Sequence, residues 1–392
     1  MRVLLDVTSD QAALLTDTAA QFTAVFNAVC RYGWDHGEQN GVRLHHALYY
    51  PFKAQYPALV SDLHIQARVK ATEAVKSALA LAKKGKRVSC PTSVASPPRY
   101  NLHTYKVDWD SRTVRMSTTG GRQTVRFSVP AYAEKYAGGV TDTADLLCRD
   151  GRWWLHIVVT VPAPAIAPTD AVIGIDLGLA QPAVTSTAQF LGQKRWRDRE
   201  ARLFKLKRAL QKRGTKSAKR HLKQVRHKQA RFRKDCDHVL SKQIVQATPP
   251  GGTIVLENLK EIRSRVKVRK GAQSRRLHSW SFAQLKSFIQ YKAEERGCTV
   301  ASVDPRHTSQ ACSRCGHQAR NNRRSRSWFQ CRQCGFSLHA DLNGARNIAA
   351  KYQAGGSRSP AGGPIVKRPL VGESEMLSHD RLTSCPASAG SP

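Results

Sequence analysis

No apolar run in the sequence approaches the ~18 residues that a membrane-spanning helix needs. The opening residues, MRVLLDVTSD, lack the long apolar core and small-residue cleavage site of a secretory signal. There is neither a lipidation signal nor an amphipathic anchor. A cytoplasmic location is therefore expected. Acidic side chains are scarce: 28 Asp and Glu stand against 64 Lys and Arg, a net charge of +36 with a pI near 10.4. A polyanion is the first partner that such a balance suggests, and nucleic acid is the commonest one. The cysteine pattern is not the one expected of a disulfide framework. Four of the ten cysteines form two CxxC pairs and the others are scattered, which suits a reducing compartment and a metal site. No His-x-His triplet occurs, since His45 and His46 are adjacent. That excludes the histidine pair of an HUH-type transposase.

The 392 residues suffice for two or three domains. MRVLLDV reads as a strand, followed by helix-start residues at Ser9 and Asp10. Leu14, Leu15, Phe22, Val25, Phe26 and Val29 recur at roughly helical spacing. A second helix fits RLHHALYYPFKAQ, ending near Pro57, and a third fits LVSDLHIQARVKATEAVKSALALAKKG, closing at Gly85. From residue 86 the pattern changes to short β-branched and aromatic runs: TYKVDW, TVRMST, QTVRFSV, ADLLCR and WWLHIVVTV. Turn residues separate several of them, which predicts a small antiparallel barrel. The first strand completes that barrel, so the helices at 9–85 form an inserted lobe and 1–8 with 86–165 the barrel. PAPAIAPTD is a linker, and a β-α pattern starts at 171. The fold class expected is α+β and multidomain.

Residues 194–234 hold 19 Lys and Arg and two acids, a net +17. The basic residues crowd all round the predicted helix and would repel one another without an anionic partner. Lys205, Arg208, Lys212 and Arg213 are the candidate phosphate contacts. From residue 353 the tail is rich in Gly, Ser and Pro and is expected to be disordered.

CSRCGHQARNNRRSRSWFQCRQCG places Cys312 and Cys315 in one CxxC and Cys331 and Cys334 in the other. Each pair lets a tight turn aim two thiolates at one ion, with Gly316 and Gly335 giving the chain room to turn back. Four thiolates make a closed tetrahedral Zn²⁺ site, structural because no position is left for water. Between the pairs, Arg323 and Arg324 are candidate phosphate contacts. Trp328 either stacks on a base or packs on the ribbon.

Three carboxylates stand out. Asp176 is the one acid in the apolar run VIGIDLGLA, Glu257 ends the apolar run of GGTIVLENLK, and Asp341 opens the helix of LHADLNGARNIAAKY. Singly, they read as a turn residue, an exposed strand end and a helix cap. Together, two strand acids and one helix-start acid can converge on one sheet edge. With no protein cation near, they would be unstable unless they held divalent metal. Mg²⁺ takes oxygen ligands, and two ions ~4 Å apart serve phosphodiester hydrolysis. Mn²⁺ is the substitute ion.

GIDLGL, VLENL and ADLNGARNIA resemble the three motifs of a RuvC-like nuclease of the RNase H-like fold. With the zinc ribbon before the third motif and TSQACSRCGH leading into it, the chain resembles the TnpB proteins of the insertion-sequence 200/605 and 607 transposon groups. These are compact relatives of the type V CRISPR effectors. RKDCDHVLSKQIV, WSFAQLKSFIQYKAEERG, FNAVCRYGWD and YNLHTY match as well. Gly344 departs from the more usual alanine and leaves the carboxylate intact. The resemblance implies a RuvC-like domain at 171–307 and 336–352 with the ribbon at 308–335. It further implies a wedge-like barrel and a recognition lobe. The implied activity is RNA-guided cleavage of DNA beside a short flanking motif, with Asp176, Glu257 and Asp341 as the catalytic acids. The implied partners are a guide RNA encoded near the gene and target DNA, bound by a monomer close to the nucleoid of a prokaryotic cell. A silent RNA-guided repressor would lack catalytic acids. A DDE transposase would order them Asp, Asp, Glu, although an accessory role in transposition is a further alternative.

Overall fold

The structure is a computed structural model that describes residues 1–162, 165–259 and 282–355. The expected disordered tail at 353–392 lies outside these residues from 356 onward. The chain divides into two compact units, with the break at residues 162 and 163.

In the first unit β1 (Arg2–Asp6) is a central strand of a seven-stranded antiparallel sheet. It lies between β5 (Gly121–Ser128) and β7 (Arg152–Thr160). The others are β2 (Arg99–Tyr100), β3 (Tyr105–Asp108), β4 (Thr113–Thr118) and β6 (Val140–Arg149), in the order β2-β6-β7-β1-β5-β4-β3. The sheet curls until its ends approach. The Tyr105 hydroxyl on β3 donates to the Asp142 carbonyl on β6 (3.3 Å), and Trp109 Nε1 donates to the Gly139 carbonyl (3.3 Å).

Three helices intervene between β1 and β2: α1 (Ser9–Asp35), α2 (Gly41–Gln55) and α3 (Ser61–Lys83). Thr8, one residue before the expected start, caps α1. Its hydroxyl accepts from Gln11 N–H, and the Gln11 side chain accepts from Thr8 N–H, a reciprocal box. Leu15, Phe22, Val25, Phe26 and Val29 form the buried stripe of α1. They share one core with α3 and with Val114, Met116, Leu146, Leu155 and Ile157 of the sheet. Pro51 lies inside α2, which stops at Gln55.

The second unit is built on a five-stranded sheet in the order β10-β9-β8-β11-β12. The strands are β8 (Val172–Asp176), β9 (Ala183–Thr185), β10 (Phe190–Leu191), β11 (Thr253–Glu257) and β12 (Thr299–Val303). β8, β11 and β12 pair parallel, β9 runs antiparallel to β8, and β10, antiparallel to β9, runs in the direction of β8. Strand alternation divides the side chains between the faces. Ile173, Ile175, Ile254 and Leu256 pack with Leu240, Ile244, Leu285 and Ile289 of α5 (Lys216–Gln246) and α6 (Phe282–Glu294). Val172 and Val255 turn the other way, onto Ile348 and Tyr352 of α7 (Ala340–Gln353).

The basic run is not one helix. α4 (Lys194–Arg213) ends at Gly214, whose φ of +66° a side chain resists, and Thr215 caps α5. The two fold together on Leu203, Leu210, Leu222, Val225 and Phe232, so one stripe of each is apolar rather than basic. Glu200 receives Arg233 through two hydrogen bonds of 2.9 and 2.8 Å and Gln229 through a third.

Candidate metal centres

Gly174 answers why an acid can sit at the end of β8. A methyl group there would lie 2.2 Å from the Ala345 carbonyl and 2.6 Å from the Ala349 nitrogen. Only glycine therefore lets the backbone of α7 rest on β8. Asp176 is two residues on, so it turns to the same face and meets the first turns of α7. Its Oδ2 lies 2.9 Å from where a Cβ on Gly344 would be. Glycine in place of the alanine more usual in the resembling family therefore leaves this carboxylate its room. Glu257 is two residues beyond Val255, which also turns toward α7. It follows directly on the last register pair of its strand with β8, Leu256 with Ile175. Asp341 is in the first turn of α7, where the helix dipole favours a carboxylate. The α7 N-terminus is capped by His339, whose Nδ1 accepts from Asp341 N–H (3.3 Å).

The acids therefore converge from three separate segments. Burial, then repulsion from Glu257 and Asp341, pushes the Asp176 carboxyl up to about 8 against the opposing pull of Arg323. Burial also pushes Glu257 up, with the Thr308 hydroxyl and Lys351 pulling the other way. The expectation that no protein cation is near needs correction. Arg323 Nη2 lies 3.2 Å from Asp341 Oδ1, with both side chains partly buried, and also donates to the Arg326 carbonyl (2.8 Å). Arg323 and, toward Glu257, Lys351 offset the three carboxylates only in part, which leaves room for a divalent cation.

The four cysteine sulfurs lie within 4.8 Å of one another. Cys312 and Cys334 are 3.8 Å apart, and Cys315 and Cys331 are 3.6 Å apart. A tetrahedron with Zn–S bonds of ~2.3 Å has edges of about 3.8 Å, so the donor set fits zinc. Gly316 and Gly335 have φ of +75° and +68°, and each N–H closes a turn onto the first cysteine carbonyl of its pair. The strands β13 (Trp328–Gln330) and β14 (Ser337–His339) pair antiparallel, and Phe329 is fully buried with Cys312, Cys331 and Ala340. Trp328, on the opposite side of the strand, is 50 % exposed. Packing on the ribbon thus falls to Phe329 and leaves Trp328 free to stack.

Several residues that the sequence reading did not single out hold these centres together. Asn322 is wholly buried. Its amide donates to the Gln310 and His317 carbonyls and its carbonyl accepts from Arg332 N–H, tying one cysteine turn to the other. Asn343, Asn347 and Lys351 line one face of α7 at intervals of four and grip the carbonyls of Asp304, Arg306, Thr308 and Ala311. That polar spacing, opposite the apolar face of Ile348 and Tyr352, was the available signal. Lys205, Arg208, Lys212, Arg213 and Arg324 are exposed. They take no part in the acid cluster.

Residues 282–348 match the family model described as the Cas12f1-like TNB domain. Over 222 residues the chain is 34 % identical to a CRISPR-associated endodeoxyribonuclease Cas12f1 of Sulfoacidibacillus thermotolerans, covering 51 % of this chain and 50 % of that protein. It is 28 % identical over 255 residues to an Escherichia coli K12 protein provisionally named an RNA-guided DNA endonuclease, InsQ, covering 59 % of this chain and 62 % of that one. The chain spans about half the length of the curated Cas12f1 relatives it matches. Among solved structures, the Cas12f1 protein in a complex with sgRNA and target DNA matches with a TM-score of 0.61 and 16 % identity. That match covers 87 % of this chain and 83 % of the other, a likeness of fold. The resemblance drawn from the sequence motifs therefore holds: the chain is similar to the Cas12f1 and TnpB-like proteins. Among the described residues no helix is long and apolar enough to cross a membrane.

Proposed function

We propose that the protein is an RNA-guided DNA endonuclease that cuts target DNA beside a short flanking motif by metal-assisted phosphodiester hydrolysis. The observation that carries this reading is the convergence of Asp176, Glu257 and Asp341 on the α7 face of the second sheet. The strand order, with β9 alone reversed against the other four strands, supports a RuvC-like nuclease domain interrupted by the ribbon. The first unit supplies the wedge-like barrel and recognition lobe.

Asp176, Glu257 and Asp341 would hold Mg²⁺ or Mn²⁺, and Cys312, Cys315, Cys331 and Cys334 would hold Zn²⁺. The divalent ions supply an activated water and a counter-charge for the leaving oxygen. The protein's part is to fix the carboxylates on a strand-helix frame so that little reorganisation is needed when the phosphodiester arrives. Arg323, paired with Asp341, keeps the cluster from being wholly unbalanced before ions bind. The exposed face of the α4–α5 hairpin, with Lys205, Arg208, Lys212 and Arg213, is suited to phosphates, which position a nucleic acid without reading its sequence. Arg324 and Trp328 on the ribbon offer a cation and a stacking surface. Sequence choice is left to base pairing with the guide.

The test is to purify the protein expressed from its own locus, sequence the RNA that accompanies it, and assay cleavage of DNA matching that guide. Asp176→Ala is expected to abolish cleavage while target binding persists. Cleavage at the wild-type rate in that variant would remove the acid from the site, and absence of any defined RNA would remove the guide.

A further inference from the structure

The residue that grips Glu257 comes from the approach to the ribbon. Thr308 is 5 % exposed, and its Oγ1 lies 2.5 Å from Glu257 Oε1 and 3.0 Å from the Pro305 carbonyl. A hydroxyl has one proton, and an ionised carboxylate takes it in preference to a neutral carbonyl. The threonine is itself held from both sides. The amide of Asn347, on α7, donates to the Thr308 carbonyl (2.8 Å) and to the Ala311 carbonyl (2.7 Å), next to the zinc ligand Cys312. Preceding Thr308, His307 has φ +66°, a backbone state that a non-glycine residue keeps only when its surroundings enforce it. Gln318, between the two cysteine pairs, donates to His307 Nδ1 at 2.7 Å. The ribbon thus bonds the residue beside the threonine, and the threonine bonds the acid.

We propose that Thr308 is a positioning residue for Glu257: its hydroxyl holds Oε1 and so leaves Oε2 to the divalent ion, with the zinc ribbon setting the hydroxyl's place. The inference rests on the reading of the three acids as a metal site and adds to it a second source of order. Partners that orient a ligating carboxylate typically change metal affinity or activity by ~10–100-fold when removed. Thr308→Val keeps the shape and deletes the hydroxyl, whereas Thr308→Ser keeps the hydroxyl and deletes a methyl.

The experiment is an electron paramagnetic resonance titration of Mn²⁺ into full-length, zinc-loaded protein, with zinc content and melting temperature measured on each sample. Thr308→Val is expected to bind Mn²⁺ ~10-fold or more weakly, within the range for such partners, at unchanged zinc content, with Thr308→Ser close to wild type. In a Glu257→Ala background, Thr308→Val should weaken Mn²⁺ binding no further. That pair of proteins also decides the matter if Thr308→Val alone loses zinc or melts early. Wild-type affinity in Thr308→Val, equal losses in the serine and valine variants, or additive losses with Glu257→Ala would each overturn the positioning role. Asp176→Ala separates the two readings. If it binds Mn²⁺ as the wild type does, the metal site itself is misassigned. If it loses Mn²⁺ while Thr308→Val does not, only the positioning role falls.

Discussion

Two clusters of potential metal ligands sit in the second unit, and they are assembled in opposite ways. The four thiols come from 23 consecutive residues, Cys312 to Cys334, and their geometry is set by two local turns. The three carboxylates come from positions 176, 257 and 341 and are near enough for Glu257 and Asp341 to raise Asp176 because two strands and a helix share one face. The two cysteine turns close on their own backbone hydrogen bonds, onto the Cys312 and Cys331 carbonyls, so the cluster asks little of the rest of the fold. Carboxylates buried beside one another repel, and the structure answers with a partial counter-charge from Arg323 and an upward shift of Asp176. The lesson is that a local cluster depends on its ion, whereas a cluster assembled at long range depends first on the frame that carries it.

The largest expected effect breaks the local cluster. Structural zinc contributes ~10 kcal/mol or more to the folding of small zinc-dependent units. Cys312→Ser should therefore release zinc and raise amide hydrogen exchange across the ribbon and into the start of α7, reaching Asp341. The strands of the first unit should stay protected. Unchanged exchange at residues 312–341, or no zinc in the wild type by metal analysis, would contradict the ribbon's role.

The next breaks the frame. Gly174→Ala drives a methyl into the backbone of α7, a contact that flexible side chains cannot relieve. The cost expected is ~3 kcal/mol, the upper end for overpacking, read as a lower denaturation midpoint with the zinc retained. A midpoint within error of wild type would mean that α7 does not rest on β8.

A third crowd of like charge sharpens the comparison, because it is exposed rather than buried. Water and salt screen the hairpin's cations, so its charge should show in salt dependence rather than in stability. Neutralising Lys205, Arg208, Lys212 and Arg213 together should lower RNA affinity. It should also reduce the slope of log affinity against log salt by up to ~3–4, at ~0.7–0.9 per lost phosphate contact. Filter binding to the co-purified RNA over a salt series measures this. An unchanged slope would make the face merely solvated.

The same contrast explains what could be read from residues alone. The cysteine turns were legible because CxxC spacing and a following glycine encode a local geometry, and Gly316 and Gly335 take the positive φ that the turns require. The strand acids were legible because Asp176 is the lone acid in one apolar run and Glu257 ends another, although the first strand stops at Asp176 rather than running on through it. That α7 lies on the same face as both was not, since it follows from Gly174 and from long-range packing rather than from any local pattern. Arg323 was assigned to phosphates because a basic loop looks alike whether it meets solvent or a carboxylate. The basic run read as one helix because charge hid the apolar seam of Leu203, Leu210, Leu222 and Phe232. The middle of the 194–234 run, at Gly214-Thr215, carried the break.

The most direct test of the account is the pH dependence of stability with and without divalent metal, in zinc-loaded wild type and Asp176→Asn. The Asp176 carboxyl rises to about 8 in the folded chain, far above its ordinary value. Between roughly pH 4 and pH 8 the folded state therefore keeps a proton that the unfolded chain has lost. Metal-free wild type should lose stability as pH rises through that window. Mg²⁺ or Mn²⁺ should restore it, most strongly near pH 8, where the proton no longer competes. Asp176→Asn should melt higher than wild type at pH 8 without divalent metal, match it more closely near pH 4, and gain little from added metal. If Asp176→Asn instead melts lower at pH 8 and still gains the full metal stabilisation, the three carboxylates do not form one metal site.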